Sequence, residues 1–333
     1  MNGEDKNFKF DVVIGNPPYQ EEKKQAGRQA KPLYNLFIEQ VKKMDTPVIC
    51  MIAPSRWFAG GIGLNKFRDD MMNDHHIKKI VDYPNAKEVF QNTSISGGVN
   101  YFIRDSSYNG DCEFDSVNQG ESSSMNRQLS EFPVLVRYNE AVKIIRKIQE
   151  AHQETMENGT ISAISPYGLS TKVRGIAKQD EQHFLKLYSS KGESYISPEI
   201  VEKGQDTVNT FRVMISQTSA EHAGEPSSDG KYKILTKSIR VMTPGEVCTH
   251  SYIFAGPFTT KERAENVVGY LKTKFVRFLL LQALTSIHIS KSTFVFVPMQ
   301  DFEEAWDDAK LIKKYGLTEK EVDYINSFIK EMD

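Results

Sequence analysis

The sequence predicts an α/β protein followed by an α+β part, and three observations carry this reading. Over the first 105 residues, strand-length apolar runs alternate with segments of helical spacing. Past residue 150 the pattern changes to short strands and loops. The chain holds 333 residues, enough for about two domains at roughly 100–200 residues each.

Each element has its own signal. FDVVIG (10–15) is apolar, bounded by a charged segment and Asn-Pro-Pro, and reads as a buried strand. Residues 33–43 place Leu33, Leu36, Phe37 and Val41 at helical spacing. PVICMIAP (47–54) reads as a second strand, residues 65–73 as a helix and HIKKIVDY (76–83) as a third strand. ISGGVNYFIRD (95–105) follows as a fourth, and CEFDSV (112–117) as an edge strand. Gly, Asn and Ser gather between 106 and 130, the composition of a loop or domain seam. Residues 138–151 form a connecting helix. Short strands follow at FRVMIS (211–216), YKILT (232–236) and HSYIFA (250–255). A helix is expected from Thr259 to about Leu284, with Thr259 or Thr260 as N-cap, and TFVFVPM (293–299) reads as a strand. Thr318 with Glu321 has capping-box spacing before a closing helix. There is no internal repeat.

Charge is unevenly divided. The total is −2, but residues 1–137 carry −1, residues 138–300 carry +4 and residues 301–333 carry −5. A histone-like polycation is excluded, whereas a local basic face is not. KYKILTKSIR (231–240) holds four basic groups and no acid, and no acidic residue lies between Glu265 and Asp301. Such a segment is either a solvated surface or a phosphate-contacting face. The three cysteines, Cys50, Cys112 and Cys248, form no CxxC pair, which excludes a disulfide framework and a zinc finger. The charged start reads as no signal peptide, and no apolar stretch is long enough to span a bilayer. A soluble, cytoplasmic protein is expected, with no membrane partner and no metal.

The signal that carries chemistry is Asn16-Pro17-Pro18-Tyr19, directly after the first strand. Exocyclic amines of bases are poor nucleophiles because their lone pair is delocalised into the ring. The Asn16 amide oxygen can accept one N–H and the Pro17 carbonyl the other, which favours a pyramidal nitrogen whose lone pair faces an electrophile. The prolines fix φ and remove competing donors, so the carbonyl aims one way. Tyr19 offers an aromatic face for a flipped base. Such positioning needs no strong general base.

At these residues the chain resembles the S-adenosylmethionine-dependent amino-methyltransferases of DNA, in which NPPY closes the fourth strand. PLYNLFIEQ, PVICMIAPSRWFAGG and the stretch from FRDDMM through ISGGVNYFIRD continue the likeness. More narrowly, the order of NPPY, APSRWF and ISGGVNYF is similar to that in adenine-specific methylases of Eco57I-type restriction–modification systems. The resemblance covers residues 8–105. It implies a partial Rossmann-like methyltransferase sheet over residues 1–135, an α+β target-recognition domain over 136–300 and an acidic helical tail over 301–333. It implies Asn16, Pro17, Pro18 and Tyr19 as catalytic residues. Phe90 or Tyr101 would stack near the base, with core packing as the alternative. Trp57 reads as packing, and Arg56 could reach a phosphate.

The same resemblance implies the cofactor S-adenosylmethionine, held by a glycine-rich turn and an acidic residue upstream of NPPY. Only 15 residues precede Asn16 and none form that motif, while the Gly60-Gly61-Ile62-Gly63 run reads as a loop. The expectation is a C-terminal part of a methyltransferase that binds the cofactor weakly or not at all. Its partners would be double-stranded DNA and the methyltransferase's N-terminal half or other restriction–modification subunits. The later segments SPYGLSTKVRG, YKILTKSIRV and 270–299 resemble target-recognition regions, where Lys172, Arg174, Lys237, Arg240, Lys274, His288 and Lys291 are candidates for DNA contact. Two other readings stay open. One is a DNA-recognition module without catalysis. The other is a protein glutamine methyltransferase, against which the long basic region past residue 150 argues. No nuclease arrangement is recognised, and DGKYK (229–233) reads as a turn.

Overall fold

Six strands of the first unit join in one mixed sheet, and their order fixes where the motif lies. The computed structural model describes residues 9–21, 30–59, 63–93, 95, 97–118, 120–151, 153–218, 226–227, 229–236, 238–284 and 288–332. The chain divides into two units, 1–141 and 142–333. In the first, β1 (Val12–Gly15), β2 (Val48–Pro54), β3 (Ile77–Tyr83), β4 (Val99–Asp105), β5 (Cys112–Asn118) and β6 (Glu121–Arg127) lie in the order β1-β2-β4-β3-β5-β6. β1 and β2 are parallel, with Gly15 opposite Met51, and β3 and β5 are parallel. β4 runs antiparallel to both β2 and β3. The carboxyl ends of β1, β2 and β3 therefore share one end of the sheet.

One sheet face is packed by α1 (Tyr34–Lys42) and α2 (Asn65–Met72). Along β2, Ile49, Met51 and Ala53 are buried, whereas Val48, Cys50 and Ile52 between them are half-buried. This period of two is that of a sheet with one face in the core. Ile49, Met51, Phe102 and Phe114 join Tyr34, Ile38, Phe67 and Met71 in a single cluster. Trp57 is 1% exposed within it. Its ring meets Phe58 at 4.8 Å and Phe67 at 5.8 Å, both edge-on, which places it in the core as the sequence suggests.

β1 is a sheet edge, since among the described residues it pairs only with β2. Phe10, Val12 and Ile14 are 50%, 49% and 79% exposed. An apolar edge strand of this kind offers both unpaired main-chain groups and apolar side chains.

At the shared carboxyl end, a carboxylate with no exposed surface gathers three loops. Asp82, near the end of β3, accepts from Ser55 Oγ at 2.6 Å and from Arg137 Nε and Nη2 at 2.9 and 3.0 Å. Arg137 also donates to the Gly97 carbonyl at 2.9 Å. Ser55 Oγ accepts from Asn100 Nδ2 at 3.2 Å, and Ser55 N–H donates to the Gly98 carbonyl at 3.0 Å. Gly98 has φ +81°, and a Cβ there would come 2.3 Å from the Tyr83 carbonyl oxygen, so glycine is required.

The second unit holds two three-stranded sheets. β9 (Phe211–Ser216) lies between β10 (Arg240–Met242) and β12 (Tyr252–Phe258), antiparallel to both. β7 (Leu185–Ser189) lies between β11 (Glu246–Cys248), parallel, and β8 (Gly192–Ile196), antiparallel. Arg212 in β9 has no exposed surface, and Nη2 donates to the Val208 and Thr243 carbonyls, each at 3.0 Å. Its Nη1 donates to the Glu246 carbonyl at 2.9 Å and to the Tyr167 hydroxyl. Carbonyl acceptors make a buried guanidinium tolerable.

Several sequence expectations need correction here. The strand at 112–117 is not an edge, because β6 pairs along it from Cys112↔Arg127 to Asn118↔Glu121. The Ser-rich stretch within 106–130 is thus largely a hairpin; Glu121, Ser122, Ser124 and Asn126 face water, so no apolar alternation marks it. No strand forms at 232–236: Tyr232 makes an isolated bridge to Ile329, and Ile234 takes φ +65°. Residues 293–299 are also not a strand but a 3-10 turn over Lys291–Phe294 and irregular chain, with Phe294, Phe296 and Val297 buried. The long helix is two, α3 (Lys261–Lys272) and α4 (Lys274–Ala283), broken at Thr273 with ψ 150°. Thr260 is the N-cap of α3, accepting from Arg263 N–H. Thr318 and Glu321 form the expected capping box of the last helix, Glu319–Phe328. No helix among the described residues is long and apolar enough to cross a membrane.

Two substitutions test this account. Asp82→Ala leaves Arg137 and Ser55 without their acceptor and is expected to lower unfolding free energy by about 3 kcal/mol, read by urea denaturation. Ile14→Lys alters only the exposed edge and is expected to change stability by no more than about 0.5 kcal/mol while reducing self-association in sizing chromatography.

Candidate active site

Asn16 follows β1 directly, so it stands at the carboxyl end of the strand. In open α/β sheets this is the end where ligands bind. Asn16 and Pro18 are exposed, Pro17 is buried and Tyr19 is half-buried against the core. The turn is held by a short antiparallel return. Leu33 N–H donates to the Tyr19 carbonyl at 3.1 Å, and Glu21 N–H to the Lys31 carbonyl at 3.0 Å. The first turn of α1 is thereby brought beside the motif. Burial raises the Tyr19 hydroxyl pKa, so the ring stays neutral over the physiological range.

The segment Ser55–Ala59, a 3-10 turn, leaves β2 at the same end. It carries exposed Arg56 and buried Trp57. Tyr34 is 2% exposed and sits edge-on to Phe67 at 6.0 Å. Burial raises its pKa, with the positive charge of Arg56 opposing. Phe90 is half-buried and follows the 3-10 turn Ala86–Glu88, with its N–H on the Ala86 carbonyl, also beyond the end of β3. Tyr101 lies in the body of β4, opposite Ile52 of β2 and Val81 of β3, with its hydroxyl pKa raised by burial first and by Tyr83 next. The structure thus gathers Asn16–Tyr19, Arg56 and Phe90 at one end and sets Tyr101 within the sheet.

Residues that sequence reasoning missed lie at the same end: Tyr34, Asp82, Asn100 and Arg137. The strand-terminal Ser55 and Asp82 of the APS and IVDY segments were the available signal, though nothing local links either to Arg137. The described residues at this end do not fit the methyl donor. Of the described glycines here, Gly15 closes β1 before Asn16 and Gly97 and Gly98 turn the chain into β4, and among the described residues no strand beside β1 presents a glycine-rich turn with an acidic ribose partner. Gly60 to Ile62 of the glycine run lie outside the described residues.

The basic residues of the second unit fall into separate neighbourhoods. Lys172 and Arg174 are exposed on the loop before Ile176, which bridges Tyr195 of β8. Arg174 Nη1 donates to the Thr171 and Val173 carbonyls at 2.8 and 2.7 Å. Arg240 pairs with Glu193 of β8 at 3.4 Å and lies 5.1 Å from the Tyr188 ring centre. Lys274 pairs with Glu331 and reaches Asn326 Oδ1 at 3.1 Å. His288 is exposed and bridges Thr218 through its backbone, and Lys291 is exposed on its 3-10 turn. Lys237 lies outside the described residues.

Comparison with known proteins follows this geometry. Residues 2–90 match the model of the Eco57I restriction-modification methylase family. Over 107 residues the chain is 36% identical to an uncharacterized adenine-specific methylase of Mycoplasma pneumoniae, a stretch covering 31% of this chain and 25% of that protein. The matched stretch is therefore about a quarter of the relative's length. Among solved structures, the type IIG restriction endonuclease BpuSI matches with TM-score 0.36 and 12% identity, over 92% of this chain and 49% of that one. The type IIL restriction-modification enzyme MmeI, solved in complex with DNA, matches with TM-score 0.43 and 10% identity, over 97% and 55%. The stretch 2–90, which contains the Asn16 turn, the Ser55 turn and the Asp82 strand, is the part of the chain similar to the Eco57I restriction-modification methylase family.

Proposed function

We propose that the chain supplies the base-handling part of a site-specific DNA adenine methyltransferase of a restriction–modification system. The observation that carries this reading is Asn-Pro-Pro-Tyr at the open carboxyl end of β1, with Asn16 exposed and Pro17 buried. A flipped adenine would place its amino group between Asn16 Oδ1 and the Pro17 carbonyl and its ring against Tyr19, with Phe90 or Tyr101 as a second aromatic. Both N–H bonds are accepted, so the nitrogen lone pair is freed from the ring and turned outward. The methyl donor would be S-adenosylmethionine, held on a polypeptide that pairs with the free edge of β1 and covers Phe10, Val12 and Ile14. Lys172, Arg174, Arg240, Lys274, His288 and Lys291 are the proposed duplex contacts of the second unit, with the unplaced Lys237.

The test needs only this chain. A duplex with one mismatched adenine gives up that base more readily than a paired duplex. The wild-type chain is expected to bind the mismatched duplex more tightly. Tyr19→Ala is expected to weaken that binding by roughly tenfold, as lost base stacking does, and Asn16→Ala to erase the preference. Both variants should retain salt-dependent binding to paired DNA. Survival of the mismatch preference in both variants overturns the reading. A radiolabelled-cofactor assay tests the placement of the donor: abundant methyl transfer by the pure chain would show that no second polypeptide is needed.

A further inference from the structure

In the second unit, the loop 170–176 is fastened along its length. Val173 packs against the buried cluster that holds Tyr167, Leu169 and Leu187. Lys172 N–H donates to Ser170 Oγ at 3.3 Å, and Val173 N–H to the Ser170 carbonyl at 3.1 Å. Ile176 and Tyr195 of β8 exchange main-chain hydrogen bonds, each 2.9 Å long. A Cβ on Gly175 would sit 2.2 Å from the Tyr195 carbonyl oxygen, so the loop lies against the strand as closely as glycine alone allows. A loop tied in this way keeps its shape, and a side chain bonded to it is held in place.

That side chain is Arg174, exposed yet fixed. Its Nη1 donates to the Thr171 and Val173 carbonyls at 2.8 and 2.7 Å, which uses both hydrogens of that nitrogen. Nε and Nη2 have no partner among the described residues. They form one edge of the guanidinium, the edge by which Arg137 grips Asp82 elsewhere in the chain. Holding a long surface side chain in one geometry costs rotamer entropy, which a merely solvated arginine does not need to lose. No acid answers the charge. From Glu157 to Asp180 the chain holds Lys172, Arg174 and Lys178 and no carboxylate between, and Asp180 is turned to His183. Arg240 and Arg263, by contrast, meet Glu193 and Glu303, and Arg212 and Arg277 are buried against carbonyls.

We infer that Arg174 reads sequence: its Nε–Nη2 edge takes the O6 and N7 acceptors of a guanine in the major groove of the bound duplex. The inference rests on the proposed function and adds which of the duplex contacts discriminates between bases. Guanine alone sets two acceptors side by side on its major-groove edge, and a two-donor edge matches them. A phosphate accepts from many directions, so a mobile cation serves it. A base edge accepts in one plane, and a guanidinium already set in its plane meets that demand. Lys172, exposed two residues earlier, is a cation of the mobile kind and suits the adjoining backbone.

The test is selection of duplexes from a randomised library by the pure chain, with thermal melting of each variant. The wild-type chain is expected to enrich a motif that contains guanine. Arg174→Ala is expected to lose the guanine preference at one position, by roughly tenfold, with the other positions and the melting temperature level. Arg174→Lys keeps the charge but not the edge and is expected to relax the same position. Lys172→Ala is expected to leave the motif intact and to lower the slope of log affinity against log salt by about one. An intact motif in Arg174→Ala overturns the inference, whether affinity falls uniformly, as for a phosphate contact, or not at all. Full preference in Arg174→Lys overturns it too. The proposed function fails separately. An enriched motif relaxed by Arg174→Ala, in a chain with no preference for a mismatched adenine, sinks the base-handling reading and upholds the Arg174 contact. Mismatch preference with no enriched motif overturns the Arg174 contact alone. A chain that binds no duplex overturns both.

Discussion

A buried carboxylate is what the strand-terminal end of the first unit's sheet depends on. Asp82 has no exposed surface, and leaving its charge in the core would be prohibitive without the three hydrogen bonds it accepts. Those bonds come from Ser55 just past β2 and from Arg137 beyond β6. Arg137 in turn reaches the Gly97 carbonyl before β4. Segments distant in sequence are thereby fixed around one atom pair. The Asn16 turn stands on the strand beside this assembly, so its neighbours cannot drift without exposing an unpaired charge.

The second unit manages charge by the same rule, with the sign reversed. Arg212 is buried and satisfied by carbonyls, while much of the surface excess is answered locally. Lys186 pairs with Glu193 at 2.9 Å, Lys147 with Glu321 at 2.6 Å and Lys330 with Asp229 at 2.8 Å. The net +4 of residues 138–300 is therefore not a bare basic face. Part of it is matched by acids of the last 33 residues, such as Glu321 and Glu331, which sequence arithmetic treats as a separate tail.

What was legible in the sequence follows from the range of the forces involved. β2 to β4 showed as apolar runs because one face of each is buried; β1 showed as one too, but its apolar Val12 and Ile14 are exposed at the sheet edge and not buried as the run suggested, and the Asn16 turn showed because its prolines and aromatic are contiguous. β6 did not, since its outward residues are serines and its register comes from β5. Residues 293–299 misled because irregular chain in a core is as apolar as a strand. The break at Thr273 depends on Asp308, whose carboxylate takes the Lys274 and Phe275 N–H groups from 34 and 33 residues away. Asp82 and Arg137 are 55 residues apart, and no local pattern joins them.

The two borders of the six-stranded sheet differ in chemistry. β6 presents Glu121, Ser122, Ser124 and Asn126 to water, and nothing in that stretch rewards a neighbour with apolar burial. β1 presents Val12 and Ile14, with Leu36 and Phe37 of α1 also exposed. The sheet is thus vectorial: extension is favoured past β1 and disfavoured past β6. Any strand that joins it at β1 arrives on the flank of the Asn16 turn, and its apolar side chains meet those of Val12 and Ile14.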